Sequence, residues 1–132
     1  MTGDQVQLET VRSVARRGYL KDLTDGELLA KQVVKLAEEL AELAAHVDVD
    51  DPVLIDLLDN IVKLGKPARR IFDRHDAFVG AECVNTSAAI AELTDLQVVI
   101  HVAAHALHVP DIAYAAQVKA LADEARGVRN GK

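Results

Sequence analysis

The sequence predicts an all-α fold, and its composition and periodicity both support that prediction. Half of the 132 residues are hydrophobic, but only 3% are aromatic, and the chain has three prolines and seven glycines. The apolar residues are mainly Ala, Leu, Val and Ile, and they recur at the three- and four-residue spacing of amphipathic helices. No segment alternates as a β-strand would. We therefore expect one domain, residues 1–132, built as a bundle of about four to six helices.

The first half of the chain predicts two helices. Residues 3–17 form the first, which ends at Gly18. Thr24-Asp25-Gly26-Glu27 is a capping box that starts a long helix from about residue 25 to 46. At 100° per residue this helix has a polar stripe opposite a wide apolar face, which we expect to be buried. The stripe contains Lys31, Gln32, Lys35, Glu38, Glu39 and Glu42, and the face contains Val33, Leu36, Ala37, Leu40, Ala41, Leu43 and Ala44.

The second half predicts four more helices. Asp51-Pro52 starts one that closes at Gly65. A short basic helix follows Pro67 and ends at Gly80. A second long helix runs from about residue 85 or 86 to 107, and a last helix from about 111 to 126. The arginines of the basic helix, which are either solvated or placed to meet an anionic ligand, are Arg69, Arg70 and Arg74.

Two acids of the second long helix lie on its apolar side. Glu92 and Asp95 are one turn apart there, whereas His101, His105 and His108 cluster on the opposite side. An ionised carboxylate in apolar surroundings must be paired, protonated or bound to a metal. A Lys or Arg from a neighbouring helix would satisfy this pair.

The first long helix, however, offers three further carboxylates, those of Glu38, Glu39 and Glu42. If the two acidic groups face each other, only divalent cations would stabilise them. All-oxygen ligation favours Mg²⁺, with Mn²⁺ as the alternative. On the first long helix alone, the acidic stripe also fits an ordinary solvated face.

Several function classes are disfavoured. The net charge of -6 argues against binding a nucleic-acid polymer. The lone Cys83 excludes an internal disulfide framework and fits a reducing compartment. The chain has no signal-peptide layout and no apolar run of about 18 residues, so we expect a cytoplasmic protein with no membrane partner. It also has no phosphate-binding loop, serine-hydrolase elbow, zinc spacing or Glu-x-x-His pair.

The acidic pattern is similar to that of a known family. Gln32-x-x-Lys35-Leu36-x-Glu38-Glu39-x-x-Glu42-Leu43, followed by Glu92-x-x-Asp95-Leu96, resembles the signature of the MazG-like all-α nucleoside triphosphate pyrophosphatases. Dimeric dUTPases and phosphoribosyl-ATP pyrophosphatases are relatives of that family. The resemblance covers roughly residues 16–43 and 85–122. The segment between Glu42 and Glu92 is longer than the family's common spacing, and the region from Asp51 to Gly80 reads as an insertion.

The resemblance implies a helical homodimer or homotetramer and an Mg²⁺-dependent enzyme. Such an enzyme hydrolyses a (deoxy)nucleoside triphosphate to the monophosphate and pyrophosphate. Glu39 and Glu42 would match the family's first metal-binding pair, and Glu92 and Asp95 the second. Glu38 would be a further ligand or the base that orients the attacking water, which makes Glu38 and Glu39 the expected catalytic residues.

The substrate-binding residues are expected on the same helices and on the basic segment. Two other functions stay open, a phosphoribosyl-ATP pyrophosphohydrolase and a non-catalytic helical oligomer or binding module. The residues expected to contact substrate are Gln32, Lys35, Arg70, Arg74 and Lys119.

Overall fold

The computed structural model describes residues 2–18 and 20–127, and every regular element within them is helical. This confirms the predicted all-α class. The elements are α1 (Gly3–Arg16), α2 (Asp25–Ala44), α3 (Pro52–Val62), α4 (Gly65–Phe72), a short 3₁₀ helix (His75–Phe78), α5 (Thr86–Ala106) and α6 (Ile112–Ala125).

The helix starts follow the capping residues in the sequence. The Thr24 side chain accepts a hydrogen bond from the Glu27 backbone N–H at 3.2 Å, and the Glu27 carboxylate accepts one from the Thr24 N–H at 3.1 Å. Asp51, Asn85 and Asp111 each accept a bond at 3.0 Å from the backbone N–H three residues later. These bonds satisfy N–H groups that have no partner within the helix.

The basic segment differs from its prediction. The sequence predicted one helix from Pro67 towards Gly80, but α4 begins at Gly65 and ends at Phe72, before the separate 3₁₀ helix. Pro67 lies in the first turn of α4, where a missing N–H costs no intrahelical bond. Phe72 and Phe78 fix the two short helices, because their side chains are only 1% and 4% exposed.

The described residues group into two compact units. The central unit is Leu23–Cys83, and the terminal unit combines the chain up to Asp22 with the chain from Val84 onward. The expectation of a single domain stays a prediction.

In the central unit, α2 packs against α3 and α4. Ala41 and Ala44 are buried on α2, and Phe72 is buried on α4. The loop after the 3₁₀ helix lies against the start of α2, where a Cβ atom on Gly26 would come within 2.5 Å of the Ala81 carbonyl oxygen. Only glycine allows this close approach.

In the terminal unit, α1 packs against α6 through polar groups. Ser13 is fully buried, and its hydroxyl donates towards the Ala120 carbonyl (3.0 Å) and the Glu124 carboxylate (2.8 Å). Glu124 also accepts two bonds from the Arg16 guanidinium, at 2.6 and 3.0 Å. This contact joins two helices that are far apart in sequence.

By length and composition alone, α5 is long and apolar enough to cross a membrane. Of the 18-residue apolar stretch of α5 that meets this criterion, 6% is buried. Elsewhere in residues 2–18 and 20–127, no other helix meets these criteria.

Candidate functional site

Three carboxylates of α2 form an acid cluster, which we define as Glu38, Glu39 and Glu42. One ligand oxygen from each lies within 4.8 Å of the others. The cluster arises from the helix itself, because residues at i, i+1 and i+4 share one side of an α-helix. Glu38 is only 6% exposed, whereas the other two side chains are exposed. The cluster therefore has one anchored carboxylate and two accessible ones.

One lysine partly neutralises the acid cluster. The Lys35 Nζ lies 3.4 Å from Glu38 Oε2 and 3.3 Å from Glu39 Oε1. One ammonium against three carboxylates leaves an excess of negative charge. Accordingly, the pKa of Glu42 is raised, first by partial burial and then by repulsion from Glu39 and Glu38, while Lys35 opposes the shift.

Phe72 supports the basic part of the same helix face. Its ring centroid lies 4.7 Å from Lys31 Nζ and 5.0 Å from Lys35 Nζ, which is cation–π geometry. Lys31 is only 4% exposed, and burial lowers its pKa while the charge of Asp73 opposes that shift. The polar stripe of α2 is therefore packed against α4 over part of its length.

The apolar face of α2 is less buried than the sequence predicted. Ala41 and Ala44 are buried, but Val33, Leu36, Leu40 and Leu43 are exposed by 56%, 39%, 49% and 49%. For these four larger residues, the expectation of burial is wrong in the described chain. The reason is that α3 and α4 pack against the side of α2 that carries Ala41 and Ala44 and against part of its polar stripe.

In addition to Lys35, three of the predicted substrate-binding residues lie in the central unit. The Gln32 Nε2 is shielded from solvent and has no hydrogen-bond acceptor within the described residues. Arg70 and Arg74 are exposed near the end of α4, and Arg74 Nη2 lies 3.4 Å from Asp76. The Gln32 amide is therefore an unpaired donor enclosed by the protein, whereas Arg70 and Arg74 are accessible to an anion.

The second acidic pair lies in the terminal unit. Glu92 and Asp95 are exposed on α5, one turn apart, and in the part of the chain that the structure describes neither carboxylate forms an ion pair or hydrogen bond. Their predicted position opposite the acid cluster stays a prediction. Lys119, on α6, is 68% exposed and pairs with Asp123 at 2.6 Å.

Sequence reasoning missed the polar contact between α1 and α6. That contact is formed by Ser13 and Arg16 of α1 with Glu124 of α6. Within α6 and its C-cap, Asp123 is 9% exposed and is paired with Lys119 and Arg126, and the Lys119 hydrogen bond is the main cause of its lowered pKa. Ser13 and Gln117 are buried nearby on α1 and α6. A serine or glutamine at a helix position gives no local signal of burial, because only the partner helix decides it.

The acid cluster has suitable donors for a hard divalent cation. Mg²⁺ is held in proteins by one or two carboxylates together with waters and substrate phosphates. Glu39 and Glu42 are accessible to such an ion, and the buried Glu38 fixes the geometry beside them. Lys35 currently serves as the local cation, so an incoming metal ion would compete with an ion pair that already exists.

Comparison with known proteins gives no assignment, because the chain matches no family model, no curated protein and no solved structure.

Proposed function

We propose that this chain is an Mg²⁺-dependent nucleotide pyrophosphohydrolase of the cytoplasm. It would hydrolyse a (deoxy)nucleoside triphosphate to the monophosphate and pyrophosphate. The observation that carries the proposal is the acid cluster, in which three carboxylates offer ligand oxygens within 4.8 Å of one another. The MazG-like spacing of these residues with Glu92 and Asp95 supports the choice of reaction.

Glu39 and Glu42 would hold the cation, and Glu92 and Asp95 are the second metal-binding pair that the resemblance implies. When bound, Mg²⁺ would supply positive charge at the phosphate oxygens and lower the pKa of a bound water. Mn²⁺ uses similar oxygen ligands and is the expected substitute. The net charge of -6 is compatible with a triphosphate substrate because a bound divalent cation would invert the local charge.

The residues of α2 have separate roles in this proposal. The attacking water forms a bond to the α-phosphorus, the bond from that phosphorus to the α–β bridging oxygen breaks, and pyrophosphate leaves. Glu38 is buried and held by Lys35, so it is suited to orient the water and accept its proton. Gln32 and Lys35 would donate to phosphate oxygens, and Lys35 would neutralise charge on the leaving pyrophosphate. Arg70, Arg74 and Lys119 are further candidates for that role.

One observation favours a second candidate, a non-catalytic helical module. Lys35 pairs with both Glu38 and Glu39, so part of the acid cluster is already neutralised without a metal. In that case the stripe would be a structural feature of α2. A phosphoribosyl nucleotide is the alternative substrate within the hydrolase proposal.

The deciding experiment is a pyrophosphate-release assay on purified protein. The panel contains the dNTPs, the NTPs and phosphoribosyl-ATP, each with Mg²⁺, with Mn²⁺ and with excess chelator. We expect turnover of at least one substrate with either metal and none with chelator. Turnover of phosphoribosyl-ATP alone would select the alternative substrate. No turnover, together with no rise in melting temperature on adding Mg²⁺ and nucleotide, would favour the non-catalytic module.

Two amide variants test the proposed metal ligands. Glu39→Gln and Asp95→Asn should each reduce kcat/KM by about a hundredfold or more, the scale of losing one preorganised electrostatic group. Asp56→Asn is the matched control, because it replaces an exposed carboxylate on α3 with an amide. Full activity of either test variant, with unchanged helical circular dichroism, would exclude that carboxylate from the site.

A further inference from the structure

Two histidines lie one turn apart near the C-terminal end of α5. His101 and His105 both belong to the regular helix, and His105 is in its last turn. At 100° per residue the two side chains are only about 40° apart around the helix axis. Residues four apart on a helix have Cβ atoms roughly 5–6 Å from each other. The two imidazoles are therefore neighbours on one side of α5, and we call them the histidine pair.

The histidine pair is open to solvent and has no charged neighbour on its own helix face. Both residues are exposed, and within the described chain neither imidazole forms an ion pair. The acids of α5, Glu92 and Asp95, are about 180° and 120° away from His101 around the axis. The helix contains no Lys or Arg. A cation at the histidine pair would thus meet no competing positive side chain of α5, unlike one at the acid cluster, where Lys35 is already paired.

A hydrogen bond to Gln97 shows that His101 presents a lone pair on this face. The Gln97 Nε2 lies 2.7 Å from the His101 Nε2. An amide nitrogen only donates, so this ring nitrogen accepts and carries no proton. Neutral imidazole is the form of histidine that binds a metal ion. A cation held between His101 and His105 would replace the Gln97 amide as the partner of that ring.

The chemistry of the histidine pair favours a particular class of ion. Imidazole nitrogen suits Zn²⁺, Ni²⁺ and Cu²⁺, whereas Mg²⁺ prefers oxygen. In metalloprotease helices, two histidines at this spacing bind Zn²⁺, and a glutamate directly after the first one acts as the base. Here Val102 follows His101, so the pair offers ligands without a base. The negative end of the helix dipole adds a favourable term for a cation at the last turn.

The number of available ligands sets the kind of site. Within residues 2–18 and 20–127, only the acid cluster brings three potential ligand atoms within 4.8 Å of one another. His108 lies beyond the end of α5 with a φ of 59°, outside the helical spacing of the pair. Water would therefore fill the remaining coordination positions. A structural zinc site has four protein ligands, so an ion held by two would exchange readily and would not be needed for folding.

We propose that His101 and His105 form a two-ligand surface site for Zn²⁺, Ni²⁺ or Cu²⁺. The site uses different residues and different ligand atoms from the acid cluster, where oxygen ligands favour Mg²⁺. The proposal does not depend on the hydrolase activity, and its tests do not measure that activity.

Isothermal titration calorimetry with Ni²⁺ tests the site on the untagged chain. Excess Mg²⁺ is present throughout to compete for the carboxylates. We expect one Ni²⁺ per chain in the wild type. Because even the loss of a residue that only orients a ligand costs about tenfold in metal affinity, His101→Ala and His105→Ala should each weaken Ni²⁺ binding by about tenfold or more.

His75→Ala is the matched control, because it removes an exposed histidine that has no second histidine four residues away. It should leave the Ni²⁺ affinity unchanged. Both positions of the pair are exposed, so the variants should keep the wild-type helical circular dichroism. A wild-type chain that does not bind Ni²⁺, or equal affinities for His105→Ala and His75→Ala, would overturn the proposal.

Paramagnetic broadening locates the ion in the wild-type chain without any substitution. In two-dimensional NMR spectra, substoichiometric Cu²⁺ should broaden the imidazole signals of His101 and His105 while those of His46 and His75 stay sharp. Equal broadening of all histidine signals would mean that the pair has no preference over single histidines. Broadening confined to the amides of the acid cluster would assign the ion to the carboxylates. Either of these two results would overturn the proposal.

Discussion

The ammonium of Lys35 lies 3.4 Å from the carboxylate of Glu38, on the side of α2 that also carries Glu39 and Glu42. This lysine pairs with two of the three carboxylates of the acid cluster and so neutralises part of its charge. The Nζ of Lys35 also lies 5.0 Å from the centroid of the buried Phe72 ring. Lys35 therefore has two expected effects that oppose each other, repulsion of the cation and attraction of phosphate.

Replacing Lys35 should separate these effects. Lys35→Met keeps the length of the side chain but removes the charge, so Mn²⁺ should bind the protein without nucleotide about tenfold more tightly. In the same variant, pyrophosphate release should fall, because the leaving group loses a positive neighbour. Isothermal titration calorimetry with Mn²⁺ and the pyrophosphate assay measure the two effects.

Lys63→Met is the matched control, because Lys63 is exposed at the end of α3. It should leave both measurements close to the wild-type values. If Lys35→Met and Lys63→Met gave the same Mn²⁺ affinity, Lys35 would not compete with a cation at the acid cluster.

The starts of four helices could be predicted because they depend on local chemistry. Thr24, Asp51, Asn85 and Asp111 each accept a backbone hydrogen bond at the start of a helix, and these bonds involve residues only three positions apart. Gly18 ends the first helix with a positive φ of 78°, as expected for glycine at that position.

The buried faces could not be predicted in the same way. Lys31 and Glu38 belong to the polar stripe of α2 but are 4% and 6% exposed, whereas Leu40 belongs to the apolar face and is 49% exposed. Periodicity identifies a polar face and an apolar face, but the helix that packs against them is set by distant residues such as Phe72. The acid cluster was predicted from spacing within one helix. The predicted convergence with Glu92 and Asp95 requires tertiary contacts that spacing does not specify.

Phe72 should be the main determinant of stability in the central unit. Its side chain is 1% exposed and lies beneath two lysine ammonium groups. Phe72→Ala should lower the free energy of unfolding by about 3–5 kcal/mol, the usual cost of such a cavity. Urea denaturation followed by circular dichroism measures this change. Val53→Ala, at an 80% exposed position, should change the free energy of unfolding by no more than about 0.5 kcal/mol. Equal effects of the two changes would contradict the assigned packing.

Glu124 should contribute to the acid sensitivity of the terminal unit. Hydrogen bonds from Arg16, and then from Ser13, hold the pKa of Glu124 below its ordinary value of 4.5. A carboxylate with a lowered folded-state pKa stabilises the fold above its unfolded pKa, and this contribution is lost as the pH falls through the folded-state value. Glu124→Gln should therefore make the unfolding free energy less dependent on pH below about 4.5. Urea titrations at a series of pH values test this.

Asp56→Asn controls for the loss of one negative charge, because it alters an exposed residue of the other unit. It should retain more of the acid dependence than Glu124→Gln does. An unchanged pH profile for Glu124→Gln would show that the Arg16 contact contributes nothing to stability in solution.

Gly26 should be intolerant of any side chain, because the loop after the 3₁₀ helix lies directly against it. A Cβ atom there would come 2.5 Å from the Ala81 carbonyl oxygen and 2.8 Å from the Glu82 Cα, and both are backbone atoms that cannot move independently. We expect Gly26→Ala to lower the free energy of unfolding by about 1–3 kcal/mol, the cost of overpacking.

Gly3→Ala is the control, because nothing lies within 4 Å of its added Cβ. That change should be neutral or stabilising by up to about 1 kcal/mol, since alanine restricts the unfolded chain. A Gly26→Ala protein as stable as Gly3→Ala would mean that the loop does not pack on α2 in solution.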